Sequence, residues 1–108
     1  MILFAGVPVT EISVARAWYE RLLGRPPDLV PHDREVAWQL AEGGWIYVVE
    51  DPPRAGRSLL TLIVDDLDTA VAPVEERGLV AARAPGGPPF KAEFTDPDGN
   101  RVTFGQPG

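Results

Sequence analysis

Leu59-Leu60-Thr61-Leu62-Ile63-Val64-Asp65-Asp66-Leu67-Asp68 comes after a break rich in proline and glycine, and its pattern decides the fold. The apolar run reads as a strand, and Asp65 or Asp66 then supplies a side chain suited to opening a helix. That helix runs to about Arg77 and stops at Gly78. Pro73 falls inside it, where it removes one helical hydrogen bond. The same order opens the chain. Ile2 to Val9 reads as a strand with Leu3, Ala5, Val7 and Val9 on one face. Thr10 is placed to cap a helix. Ala15, Trp18, Tyr19, Leu22 and Leu23 then recur at helical spacing as far as Gly24.

Each strand–helix pair is followed by further strands. Val36 to Leu40 and Trp45 to Val49 form a hairpin around Glu42-Gly43-Gly44, with a weak strand signal near Leu29 before them. Leu79 to Ala82, Phe90 to Thr95 and Arg101 to Phe104 are the corresponding strands of the second half, the last two joined by Asp96-Pro97-Asp98-Gly99. Proline suits an early turn position, glycine tolerates positive φ, and Asp side chains bond nearby amides, so this run reads as a hairpin and not a catalytic dyad. A fixed shift of 55 residues lays Val9 on Val64, Ile12 on Leu67, Gly44 on Gly99 and Val49 on Phe104. One shift carrying strand, helix and hairpin together indicates a duplicated unit. The expected fold is α+β: one domain, 1–108, of two tandem βαβββ modules, 1–52 and 57–108. Asp51-Pro52-Pro53-Arg54-Ala55-Gly56 is the link between them.

Three segments in this order resemble the vicinal oxygen chelate superfamily, the glyoxalase, bleomycin-resistance and dioxygenase-like proteins. They are Val7-Pro8-Val9-Thr10-Glu11 with Ala17-Trp18-Tyr19 and Leu22-Leu23-Gly24, then Ile63-Val64-Asp65-Asp66-Leu67-Asp68, and finally Phe94-Thr95-Asp96-Pro97-Asp98-Gly99-Asn100-Arg101. The resemblance spans nearly the whole chain. It implies a curved mixed sheet wrapped around a cup, usually completed by a second subunit.

Metal-using members of that superfamily take four ligands, His or Glu, from the first and last strand of each module. Matched strand to strand, those positions are Phe4, Val48, Leu59 and Thr103, and both pairs obey the shift of 55. A divalent ion needs several N, O or S donors at about 2.0–2.6 Å. Phenylalanine, valine and leucine offer none, so no metal and no cofactor is expected, and glyoxalase or extradiol dioxygenase chemistry loses its Lewis acid. His32, the only histidine, lies in a charged loop and reads as solvated.

Strand alternation then assigns the cup. Phe4, Gly6 and Pro8 face it, with Ile46, Val48 and Glu50, then Leu59, Thr61 and Ile63, then Arg101, Thr103 and Gly105. The opposite parity puts Leu3, Val7, Tyr47, Leu60, Leu62, Val102 and Phe104 in the helix-facing core. Trp18 is expected in the core and Trp45 at the cup rim or a subunit interface, while the face of Trp38 is left open by the turn after it. The candidate ligand-binding set is therefore Phe4, Trp45, Val48, Glu50, Leu59, Thr61, Arg101 and Thr103. Apolar walls with a few polar anchors are what a small-molecule pocket looks like. No catalytic residue stands out: Ser13 and Ser58 sit at a helix start and in a linker, and no Gly-x-Ser-x-Gly elbow exists.

Composition excludes several classes. Ten basic residues face sixteen acidic ones, a net charge of −6, which disfavours nucleic acid. No apolar run approaches the about 18–20 residues of a membrane span. There is no cysteine and no basic-then-apolar leader pattern, so a cytoplasmic location is expected. The reading is a metal-free binding protein for a small aromatic or cationic molecule, with Glu50 the anchor for positive charge, acting as a homodimer. The alternative is a metal-independent isomerase or lyase acting on a small carbonyl compound; a protein whose cup is closed is the third.

Overall fold

A computed structural model describes residues 1–108. The first half contains β1 (Leu3–Val9), α1 (Ile12–Leu23), β2 (Leu29–His32), β3 (Glu35–Ala41) and β4 (Gly44–Glu50). A single 3₁₀ turn, Pro52–Arg54, leads to β5 (Leu59–Ile63), α2 (Leu67–Glu76), β6 (Ala82–Arg83), β7 (Phe90–Thr95) and β8 (Arg101–Gln106). Each half forms its own four-stranded sheet, ordered β1-β4-β3-β2 and β5-β8-β7-β6. The pairs β1–β4 and β5–β8 are parallel, as a strand–helix crossover requires, and the remaining pairs are antiparallel. The weak strand at Leu29 is real. The strand expected over Leu79–Ala82 is not: Leu79 packs into the core instead, and pairing begins only at Ala82.

Both helices bury one stripe. Ala15, Tyr19 and Leu22 are the buried residues of α1, and Leu67, Val71 and Val74 those of α2. Gly24 ends α1 at φ 76°, a left-handed position that suits glycine. The stripes meet the inward residues of both sheets in one cluster of 17 buried residues, which includes Val7, Trp38, Val48, Phe94 and Phe104. Trp38 is fully buried and its indole N–H donates to the Arg25 carbonyl at 3.0 Å, so its face is settled as core. Trp18 is half-buried, edge-on to Tyr19.

The caps differ from expectation. Neither helix is capped by the residue before it. Thr10 donates its hydroxyl to Asp98 at 2.7 Å. The first amide of α1, Ile12, instead donates to the Glu50 carboxylate at 3.1 Å, and that of α2, Leu67, to the Gln106 side chain at 2.8 Å. The end of the last strand in each half thus caps that half's helix, meeting donors that the helix cannot satisfy itself.

No backbone ladder joins the two sheets, in which β1 and β2, and β5 and β6, are the edge strands. Side chains do it. Asn100 is fully buried; its amide donates to the Pro8 carbonyl at 2.9 Å and to Asp96 at 2.8 Å, while its oxygen accepts the Ser58 N–H at 2.9 Å. Proline is tolerated at position 8 because β1 is an edge strand, where its missing N–H breaks no ladder bond. The Arg77 guanidinium donates to the carbonyls of Arg21 and Leu22 at the end of α1. The Asp96–Asn100 turn is therefore the hairpin expected and also the joint between halves.

Candidate functional site

Each sheet has one face against the core and one face open. On β1, Val7 and Val9 point inward, leaving Phe4, Gly6 and Pro8 on the open side. Register fixes β4: Val7 pairs with Val48, Phe4 with Trp45 and Gly6 with Tyr47. Neighbours in register share a face, so Trp45, Tyr47 and Val49 join the open side. The indole of Trp45 stacks on the Phe4 ring, with centroids 5.2 Å apart and planes 14° apart. Tyr47 lies across Gly6: a Cβ there would fall 2.6 Å from the phenol ring, so glycine makes room for it. An aromatic shelf results, with Phe4 45% exposed and Trp45 and Tyr47 half-buried.

Two expected ligand-binding residues are not on this face. Val48 is 0% exposed and belongs to the core, as does Ile46. Glu50 has the same inward parity; it caps α1 and pairs with Arg34 at 3.1 Å. Tyr47, assigned to the core from sequence, replaces them. The cause is a one-residue error in the repeat. The shift is 55 for β1 and the helices, but Val48 corresponds to Phe104 and Ile46 to Val102, a shift of 56. The longer Pro85-Gly86-Gly87-Pro88-Pro89 segment ahead of β7 supplies the difference. The overlays of Gly44 on Gly99 and Val49 on Phe104 fail for this reason.

On the second sheet the open side carries Leu59, Thr61 and Ile63 of β5, Arg101 and Thr103 of β8, and Lys91 and Glu93 of β7. Leu59 is 79% and Ile63 68% exposed. A groove of about 400 Å³ runs over this face, lined by Thr61, Thr103, Lys91, Glu93 and Arg83 among others. A slot of about 480 Å³ separates β1 from β5, bounded by Leu3, Ala5, Leu60 and Leu62. Leu3 has the inward parity expected of it but opens onto this slot, 64% exposed.

The metal positions change with the register. Thr103 pairs with Thr61 as Tyr47 pairs with Gly6, so the counterpart of Thr103 is Tyr47. Phe4, Tyr47, Leu59 and Thr103 do not fit a divalent ion, since no carboxylate, imidazole or thiolate is among them. Nowhere do three or more His, Cys, Asp or Glu side chains converge to hold one. His32 faces Glu35 at 3.6 Å on the surface.

Proton affinities are displaced in two places, the Tyr19 phenol and the Asp28 carboxyl. Burial, reinforced by Asp96, pushes the Tyr19 phenol far up, and it lies within the core. The Gln39 amide and the Arg25 guanidinium hold Asp28 low, on the turn before β2. No helix is long and apolar enough to cross a membrane.

No protein-family model and no curated protein sequence matches the chain. Solved structures do. A glyoxalase/bleomycin resistance protein from Catenulispora acidiphila DSM 44928 is 43% identical, with a TM-score of 0.95 over 100% of this chain and 99% of that one. TnmS3, an antibiotic binding protein from Streptomyces sp. CB03234, is 26% identical, with a TM-score of 0.77 over 100% and 96%. A glyoxalase/bleomycin resistance protein from the same Streptomyces strain is 25% identical, with a TM-score of 0.74 over 98% and 100%.

Proposed function

The chain belongs to the glyoxalase/bleomycin resistance family, and we propose that it is a metal-free, cytoplasmic binding protein that holds a planar aromatic molecule on the open face of its first sheet. The observation that carries this reading is the Phe4–Trp45 stack, a flat aromatic surface on which Phe4 is 45% exposed and Trp45 half-buried. Offset stacking on such a surface contributes about 0.5–1.5 kcal/mol beyond the area buried. The antibiotic-binding relative supports the same class of function. A cationic ligand loses its support, because Glu50 caps a helix. The lyase or isomerase alternative has no favouring observation: neither displaced proton affinity belongs to a residue lining the groove or the slot.

Tryptophan fluorescence titration with planar polycyclic compounds tests the proposal. Quenching is expected, and Trp45→Ala should weaken binding by about 1–2 kcal/mol. Trp18→Phe should leave affinity unchanged. The proposal fails if no compound binds, or if a bound compound is converted to product. One Zn, Ni, Mn or Fe per chain in elemental analysis, removable by chelator with loss of stability, would overturn the metal-free part.

A further inference from the structure

The two open faces share a backbone plan and differ in chemistry. Trp45 and Tyr47 on β4 correspond to Arg101 and Thr103 on β8, and Ala37 on β3 to Glu93 on β7. Phe4 and Gly6 on β1 correspond to Leu59 and Thr61 on β5. One copy has become a stacking surface and the other a polar one. The faces approach at the seam, where the Ser58 hydroxyl lies 3.4 Å from the Gly6 carbonyl.

The groove on the polar face holds three kinds of donor. Thr61 and Thr103 are register partners. The hydroxyls engaged within the chain are those of Thr10, Ser13, Tyr19, Ser58 and Thr69, which leaves both of these free. Arg83 is occupied by Asp68 at 3.1 Å, and Glu93 faces Arg101 at 4.0 Å. Lys91 stands opposite Gly105 and has no acidic side chain within ion-pair distance. With the pairs cancelled, the groove keeps one uncompensated positive charge in a chain whose net charge is −6.

We infer that this groove takes an ionised acidic group, a carboxylate or phenolate, carried by the aromatic ligand, with Lys91 as its charge partner and the Thr61 and Thr103 hydroxyls as its donors. The inference rests on the aromatic-ligand reading and names the class of ligand. Hydrogen bonds to an ionised acceptor are about twice as strong as neutral ones, and Lys91 supplies the charge that its neighbours have cancelled.

Calorimetric titration of the full chain with anthraquinone-2-carboxylate, its carboxamide and the 2-aminomethyl analogue tests it. The carboxylate is expected to bind about tenfold tighter than the carboxamide, and the amine weakest, with a preference that shrinks as salt is raised. Lys91→Met should abolish the preference and leave carboxamide affinity unchanged, whereas Lys91→Arg should keep it. Trp45→Ala should weaken all three alike. Equal binding of carboxylate and carboxamide, or a Lys91→Met loss shared by all three ligands, overturns the inference and leaves the aromatic reading standing. Failure of all three to bind overturns both.

Discussion

The Tyr19 hydroxyl donates to the Asp96 carboxylate at 2.9 Å, joining the helix of the first half to the last turn of the second inside the core. Asp96 also accepts the N–H groups of Asp98 and Asn100 and the Asn100 amide. It is 4% exposed, so each donor removed leaves a buried acceptor short of a partner. Tyr19→Phe should destabilise the chain by about 1–3 kcal/mol in urea denaturation.

The same contact predicts a pH dependence. Tyr19 has a proton affinity raised in the folded state, first by burial and then by Asp96. The unfolded phenol ionises near pH 10 while the folded one keeps its proton. Above that pH the unfolded state binds fewer protons, so stability falls as pH rises, by about 1.4 kcal/mol per unit for this group. Below pH 10 the contribution is complete. Unfolding free energies from pH 9 to 11 should show this extra slope in the natural protein and not in Tyr19→Phe.

Glu50 should prove structural. It receives the Ile12 N–H, and Gln106 does the same for Leu67 with an uncharged amide. Glu50→Gln should therefore cost less than about 0.5 kcal/mol, and Glu50→Ala about 1 kcal/mol, the scale of a lost cap. Neither should alter ligand affinity. A Glu50→Gln variant with intact stability and abolished binding would return this residue to the site.

The contrast between β8 and β4 shows how far the sequence is legible. Arg101-Val102-Thr103-Phe104 alternates polar and apolar, so its faces can be read directly, and Thr103 and Arg101 sit on the open side. Trp45-Ile46-Tyr47-Val48-Val49 is apolar throughout and has no readable period. Its face can be assigned only through the repeat, and the longer loop before β7 shifts that by one, which in a strand inverts every side chain. The inversion sends Tyr47 to the core and puts Val48 and Glu50 on the open face. Strand and helix order survive because a one-residue error leaves them intact. The helix caps are illegible for another reason: Glu50 and Gln106 reach their helices from 38 and 39 residues away.

Gly6 and Tyr47 should be coupled. An added methyl at position 6 meets the end of the Tyr47 ring, a side chain able to swing aside. Gly6→Ala should thus displace the phenol and weaken binding to the shelf, at a modest cost in stability of about 1 kcal/mol. In Tyr47→Ala the obstacle is gone, and adding Gly6→Ala should then change little. A double-mutant cycle in thermal denaturation checks this, with an interaction of about 0.5–3 kcal/mol expected for contacting residues. Additive effects would mean that the ring does not rest over Gly6.

The uncovered faces also predict assembly. Leu59 and Ile63 are 79% and 68% exposed and Phe4 is 45% exposed, and no element described above folds over them. Exposed apolar patches of this kind usually mark interfaces, and a two-fold pair is the simplest closed solution. Burying one such side chain is worth about 1.5–3 kcal/mol. Light scattering at micromolar concentration should give twice the 11.7 kDa chain mass. Leu59→Glu with Ile63→Glu should return the protein to monomers that keep their far-ultraviolet spectrum, since both side chains point away from the core. Ligand affinity separates two roles for the open faces. If the shelf needs a partner's face to close over the ligand, the monomeric variant binds more weakly and Trp45 quenching fades with it. A natural protein that scatters as a monomer would refute the dimer, and the shelf would then act as an open surface.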